Sequence, residues 1–468
     1  MTSYFFHHEL FISFLISFYR RILDQVHDLG EDRKKRRESF ENLALAGYIP
    51  LNLKFDRLDW VPPPIDYAFL TFKRLGMSSV LTIFLQIVTT ELVTNIIENI
   101  DPSEYFMRFS SSWIHKPTVS TIYKVLALSI RIQGLNNLPR ENRKNERPKR
   151  EAIQEAKSYF ETKYEGVYIP GINVLEKLTA IPLFTSVYFA KISKNFQNLV
   201  LYLGESVAGD EKLLYFTGNS IDIRLVPAKP SRIGLWFYEL CSTLRNGGQY
   251  LLYSRVHHGG EYLPVANVVN DWAEIVKRCG HPQTLLTMDS YYLDNISKQV
   301  LQDSGVKFVA SFSANKFQTI TKEMKPKVKV PGDWYGIYHP RTSLSIVYHW
   351  CNDDRVGQKW VMSNACTKST SRYIGTNIPL FDLYKITFNV CDKFNISLHD
   401  TGWPHRKGGN KRYGSKGMEH NFMLTCILHN TINCYMDTRG IPSQNMDFES
   451  FCLELADLLF EHASQLGN

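Results

Sequence analysis

Apolar and polar residues alternate with two different periods along this chain. From Gly76 to about Asn137 the apolar positions step by three and four, with Ile83, Phe84, Ile87, Val88, Leu92 and Ile96 on one side of a helix. Gln86, Glu91 and Asn95 interrupt the apolar stretch Val80 to Ile97 at helical spacing, which predicts a buried amphipathic helix and no transmembrane segment. A second helix is expected over Thr121–Ile132, closing at Gly134 before Pro139, and a third over Glu151–Thr162. A mixed stretch then reaches Val226.

After Pro227 the texture changes. Leu235–Cys241 is an almost unbroken apolar run, as expected for a strand covered on both faces. The turn Asn246-Gly247-Gly248 leads to a second strand, Gln249–Val256. A helix over Val268–Arg278, a strand over Thr284–Asp289, a helix over Ile296–Ser304 and a strand over Val306–Phe312 complete an α/β pattern. Between Ser313 and Thr376 short alternating runs, Ser343–Trp350 and Lys359–Met362, lie among Gly, Pro and Asp-Asp turns and predict a β-rich insertion. Its first part carries Lys316, Lys322, Lys325, Lys327 and Lys329 against Glu323. Helices return over Leu383–Asn395, Met418–Met436 and Phe448–Gln465. No internal repeat is visible.

Length and charge narrow the picture. A chain of 468 residues is too long for one compact core, so two to four domains are expected. The net charge of +8 favours an anionic partner. Eight scattered cysteines without a C-x-x-C pair argue against a zinc module and fit a reducing compartment. The apolar run Phe11–Tyr19 follows His7, His8 and Glu9 rather than basic residues, so it does not read as a signal peptide. Arg33 to Arg37 are five consecutive bases, which reads either as a solvated segment or as a nuclear-import patch. Pro62-Pro63-Pro64 marks a linker, and residues 140–150 form an exposed basic loop that includes Arg143 and Lys144. His257, His258 and His405 have no metal-ligand spacing and read as structural or surface residues, and no G-x-S-x-G elbow supports a serine hydrolase.

The chemistry centres on carboxylates. Asp289 stands at the tip of its strand, where it serves either as a turn cap or as a metal-holding carboxylate. Asp392 lies on a helix about a hundred residues on, either as a surface carboxylate or as a second ligand, and Asn395 follows at helical spacing with a carbonyl oxygen to offer. Two divalent cations about 4 Å apart need such carboxylates to neutralise and space them. Residues 402–416 hold Arg406, Lys407, Lys411, Arg412 and Lys416 with two aromatics and no acid, either a solvated loop or a surface that tracks phosphates.

Several motifs in order carry a family resemblance. Lys229-Pro-Ser-Arg-Ile-Gly234 before an apolar strand resembles the K-P-x-[KR]-x-G signature of piggyBac transposases. Asp210-Glu211 through Phe216 and Gly218 is similar to the family's D-E-x-x-x-x-F-x-G stretch, and Asp289-Ser-Tyr-Tyr to its second-acid motif. Tyr384 through Asp392 and Asn395 falls at the third-acid motif, and Ile122 through Pro139 matches the helical entry to the domain. The resemblance covers roughly residues 80–436. It implies an RNase H-like mixed-sheet core with a β-rich insertion, flanked by helical DNA-binding and dimerisation parts.

On that reading residues 1–75 are a basic N-terminal region and 76–228 a helical DNA-binding and dimerisation domain. Residues 229–312 form the first part of the core, 313–376 the insertion, 377–400 the third-acid helix, and 401–468 a C-terminal helical DNA-binding part. The resemblance further implies strand cleavage and transfer by Mg²⁺ or Mn²⁺ held at Asp289, Asp392 and Asn395. Its implied partners are double-stranded DNA and a second copy or an active transposase, in a nuclear setting. The family's first acid falls on Ser242, a neutral hydroxyl and a poor ligand for a hard cation. Glu239 lies an odd number of residues away and should face the other side of the sheet. The fourth acid position is Asn395, and Asn389-Val390 replace the glycine pair before the third acid. A catalytically degenerate, DNA-binding transposase relative is therefore expected, with a non-catalytic scaffold partnering an active transposase as the alternative. No zinc is expected, because the family's C-terminal cysteine-rich module has no counterpart here.

Overall fold

In a computed structural model of the chain, the described residues are 49–50, 69–70, 79–100, 117–136, 149–164, 175, 178–179, 181–216, 218, 220–226, 232–259, 263–339, 341–351, 357–365, 379–400 and 414–466. In chain order the elements begin with strands β1 (Ile49–Pro50) and β2 (Phe69–Leu70). Helices α1 (Val80–Ile87), α2 (Thr90–Asn99), α3 (Val119–Asn136), α4 (Lys149–Lys163) and α5 (Ser186–Asn198) follow. Next come strands β3 (Val200–Tyr202), β4 (Ser206–Tyr215), β5 (Ile223–Leu225), β6 (Ile233–Thr243) and β7 (Gln249–Val256). Helix α6 (Val265–Cys279), strand β8 (Leu285–Met288), helix α7 (Asn295–Ser304), strand β9 (Lys307–Ser311) and the short helix α8 (Gln318–Met324) come after them. Strands β10 (Trp334–His339), β11 (Leu344–Trp350) and β12 (Gln358–Ser363) precede helices α9 (Pro379–Phe388), α10 (Val390–Asp400), α11 (Gly414–Arg439) and α12 (Phe448–Gln465).

The chain divides into two compact units. One comprises residues 1–61, 264–273 and 287–386, and the other residues 62–263, 274–286 and 387–468. In the second unit β6 is the spine. Strand β4 pairs along one edge, from Val207↔Ser242 to Tyr215↔Gly234, while β7 and β5 share the other. Leu235, Phe237, Leu240 and Cys241 are buried, which is what the continuous apolar run of this strand anticipates. Gly234, the last residue of the Lys229–Gly234 motif, is required by close approach: a Cβ there would lie 2.0 Å from the Leu214 carbonyl oxygen.

Helices close this sheet with side-chain polar groups. The ladder slips between Leu240 and Cys241, leaving Leu252 as the extra residue of a bulge. Its carbonyl accepts from Gln197 Nε2 of α5 at 3.0 Å. On α11, Asn430 both accepts from Leu251 N at 3.0 Å and donates to Leu251 O at 2.9 Å, while Asn433 donates to Gln249 O at 3.2 Å. At the other end of the unit α3, α4 and α12 meet at Asp457, which takes Arg131 at 3.1 Å, Tyr159 Oη at 2.6 Å and Lys163 at 3.0 Å. The Arg131 guanidinium also stacks 3.3 Å over the Tyr159 ring.

In the first unit the strand order is β1-β10-β11-β12-β9, every neighbouring pair antiparallel. Strand β8 lies beside β9 and reaches it through α7, the crossover that parallel strands require. Asp294 caps α7 by accepting from Ser297 N at 2.7 Å, and Gly305 ends it at φ 73°, a left-handed cap.

Most predicted elements are found in place, with instructive differences. The helix expected over Val80–Ile97 is two helices, bent by 46°, because Thr89 stops the first and caps the second by accepting from Leu92 N at 3.2 Å. The helix expected over Leu383–Asn395 breaks at Asn389 into α9 and α10. The start of the predicted β-rich insertion is helical, with 3-10 turns at Ala314–Lys316 and Lys325–Lys327 on either side of α8. Strands β10, β11 and β12 extend the sheet from β9. Among the described residues no single helix is long and apolar enough to cross a membrane, and the apolar faces of α1 and α2 are buried in the protein.

Candidate functional site

Asp289 follows β8 directly and both caps a turn and stays half-exposed. Its Oδ1 accepts from Tyr291 N at 2.7 Å, and its carbonyl accepts from Tyr292 N at 3.3 Å. The turn is held from two sides. Tyr292 is fully buried against Trp272, ring centres 4.7 Å apart. The Lys316 ammonium donates to the carbonyls of Ser290, Tyr291 (3.0 Å) and Leu293 (3.1 Å), filling all three of its donor positions.

Ser242, near the end of β6, sits between Val207 and Tyr250 and is 1% exposed. Among the described residues its hydroxyl makes no hydrogen bond. Glu239 pairs with Asp210, so the two-residue period puts it on the face opposite Ser242, as the spacing predicts. That face is built from Asp210, Lys212, Glu239 and Cys241 beneath α10 and α11. Cys391 of α10 donates its thiol to Ala208 O at 3.1 Å, and Lys212 Nζ lies 5.6 Å over the Phe422 ring of α11.

Glu239 has no exposed surface, and among the described residues neither carboxylate oxygen has a hydrogen bond. Burial pushes its carboxyl up to about 7, against the opposing pull of the Lys212 ammonium and the Asn395 amide. Burial in turn drives the Lys212 ammonium down, and Glu239 partly restores it. Asn395 is half-buried and its side-chain oxygen has no hydrogen bond among the described residues, while Asp392, three residues earlier in the first turn of α10, is exposed. Beside this cluster His429, fully buried, contacts Ser397 Oγ at 2.6 Å and the Asn433 amide at 3.0 Å. Burial, and then the Lys212 charge, drop the His429 imidazole to about 3.

Among the described residues no group of three or more His, Cys, Asp or Glu side chains is gathered to hold a metal ion. Of the basic residues read as DNA-contacting, Lys416 is exposed in the first turn of α11. Arg143, Lys144, Arg406, Lys407, Lys411 and Arg412 lie outside the described residues, as do His405 and the Arg33–Arg37 run. His257 accepts from or donates to Tyr238 Oη at 2.8 Å, and His258 meets Asp222 at 3.1 Å. Both histidines belong to local structure. The sharing of one face by Glu239 and Lys212 is not legible in the sequence, because only the β4–β6 register brings the two residues to the same side of the sheet. Lys316 stood in a lysine-rich stretch with nothing to single it out.

No protein-family model matches the chain, and no curated protein does. Among solved structures it is similar to a piggyBac transposase in a synaptic complex with hairpin DNA, determined by cryo-EM. That likeness has a TM-score of 0.58 at 15% sequence identity and covers 86% of this chain and 83% of that one. At such identity the likeness speaks for the fold alone. The chain is an α/β protein with parallel and antiparallel strands in a piggyBac transposase-like fold.

Proposed function

We propose that this chain is a DNA-binding protein derived from a piggyBac-type transposase, in which metal-dependent strand cleavage and transfer have been lost. The observation that carries the reading is Ser242: a buried, neutral hydroxyl stands where the family places its first shared carboxylate. A metal pair needs several anionic oxygens, and a serine hydroxyl does not replace one of them. Asn395 weakens the donor set again, since its amide is neutral where the family has a carboxylate. The residues present do not fit a two-metal centre, and no catalytic step is assigned to Asp289 or Asp392. The net charge of +8 supports binding to duplex DNA. Action on DNA as a dimer, or beside an active transposase, in the nucleus belongs to the same reading.

The test pairs binding with cleavage. Affinity for random-sequence duplex DNA is measured between 50 and 200 mM salt on the order of those used for such titrations. Strand nicking is assayed with Mg²⁺ or Mn²⁺ for the unaltered chain, Ser242→Asp and Asp289→Ala. Steeply salt-dependent binding without nicking is expected. Metal-dependent nicking by the unaltered chain that disappears in Asp289→Ala would overturn the loss of catalysis, and a flat salt dependence would sink the DNA-binding reading.

A further inference from the structure

The proposed function leaves one charged surface unused. Between Ser313 and Asp333 the chain carries five lysines (316, 322, 325, 327 and 329) against Glu323 and Asp333. The structure sorts these lysines into two roles. Lys316 is turned inward and spends its three donors on the carbonyls of Ser290, Tyr291 and Leu293. Lys322, Lys325, Lys327 and Lys329 are all exposed, and none takes part in an ion pair among the described residues.

The element that presents them is well seated. Ile320, Met324 and Val328 recur every four residues and are buried, which leaves the intervening lysines on the solvent side. Thr321 Oγ1 donates to Ala314 O at 3.2 Å, and Asp333 accepts from Lys329 N at 3.4 Å and Val330 N at 3.3 Å. Asp333 is thereby committed to backbone amides and folds the end of the segment back. Four ammonium groups are left on a short, anchored surface, where a flexible tail would hold them only loosely.

We propose that the turn and helix from Lys316 to Lys329 form a second duplex-DNA contact surface, hung on the Asp289 loop through Lys316. Lys322, Lys325, Lys327 and Lys329 meet backbone phosphates, and Lys316 fixes where they are offered. Compact ammonium groups without a planar fork suit phosphate contact and carry no base specificity. The surface lies in a different stretch of the chain from the basic 402–416 segment. It rests on the DNA-binding reading above, and its partner is the phosphate backbone rather than a particular sequence.

The experiment is salt-dependent binding of the full-length chain to random duplex DNA, followed by fluorescence anisotropy. It compares the unaltered chain with a variant carrying Lys322→Gln, Lys325→Gln, Lys327→Gln and Lys329→Gln. Each phosphate contact contributes about −0.9 to the slope of log K against log salt, so the variant's slope should be shallower by about 2 to 4. The corresponding four Lys→Arg changes should restore it. Duplex binding with the same slope in the unaltered and Gln chains would overturn this surface and leave the DNA-binding reading intact. No duplex binding by the unaltered chain would remove both. A Gln variant that keeps its duplex slope but loses binding to polyglutamate would assign the patch to an acidic polypeptide and overturn the proposal.

Discussion

The loop after β8 and the β6–α10 face hold their polar groups in opposite ways. Around Asp289 the polar side chains bond to backbone: a carboxylate oxygen takes Tyr291 N, and Lys316 gathers three carbonyls. Such an arrangement keeps one carboxylate half-exposed at a strand tip, on a turn anchored by Tyr292 against Trp272. Around Glu239 the polar groups have been drawn into the core, where among the described residues its carboxylate oxygens and the Lys212 ammonium make no hydrogen bond. The first region leaves its carboxylate open to solvent. The second behaves as interior, and its polar groups influence stability more than they could serve a ligand.

The contrast is broken most severely at Lys212. Lys212→Met removes the charge that opposes the burial of Glu239, so the carboxyl should rise further and the chain lose stability, measured by urea unfolding at pH 8 or thereabouts. Adding Glu239→Leu should recover most of the loss. If the single change proves mild and the double change no better, the two residues are not coupled and the picture of an interior pair is wrong. At the other region, Lys316→Met removes a charged donor from three carbonyls and should cost about 1.5–3 kcal/mol. Hydrogen exchange should quicken at Tyr291, Tyr292 and their neighbours while the amides of β6 keep their protection. Uniform loosening of both regions would deny Lys316 its local role.

A pH series sharpens the comparison further. The Glu239 carboxyl sits near 7 in the folded chain against an ordinary 4.5. Its raised value means that the folded state holds the proton more tightly, so its contribution to stability is complete below about 4.5 and is lost as pH rises through 7. His429 and His420 act with the opposite sign. Burial lowers them from 6.5 to about 3 and about 4, so their contribution is present above 6.5 and is lost in acid. The stability difference between Glu239→Gln and the unaltered chain should therefore grow in favour of the variant between pH 4.5 and 7. A pH-independent difference would mean that Glu239 titrates normally. The smallest effect is expected at Ser242. Its hydroxyl is buried without a partner among the described residues, so Ser242→Ala should be neutral or slightly stabilising, within about 1 kcal/mol. A loss well beyond that would show the hydroxyl to be held by a hydrogen bond after all.

Much of the architecture was legible because single elements carried strong local signals. The apolar run at Leu235–Cys241 announced a covered strand, and Asn246-Gly247-Gly248 announced the turn after it, with Gly247 at φ 83°. Strand β4 escaped notice because Asp210, Glu211 and Lys212 stand at its centre, and all three are buried only through their neighbours. Helix α5 was missed for a related reason. Phe189, Ile192 and Phe196 have helical spacing, but Lys191, Lys194 and Asn195 break the run, and its first turn is capped from a distance by Glu419, which accepts from Ser186 N at 2.8 Å. At the candidate site, position in a motif picked out Ser242, Asp289 and Asp392. What it could not reveal was which neighbours turn inward, since Glu239, Lys212 and Asn395 are brought together by strand register and helix packing rather than by sequence proximity.

The two asparagines of α11 have a consequence for assembly. A β-sheet edge with open amides and carbonyls invites another chain to add a strand. Along β7 that invitation is withdrawn at Leu251 and Gln249, where Asn430 and Asn433 already supply the hydrogen bonds an incoming strand would make. The seal is fitted closely, since a Cβ on Gly248 would fall 2.4 Å from Asn433 Oδ1. A second copy or a foreign peptide cannot lengthen the sheet at this edge without first prising α11 away.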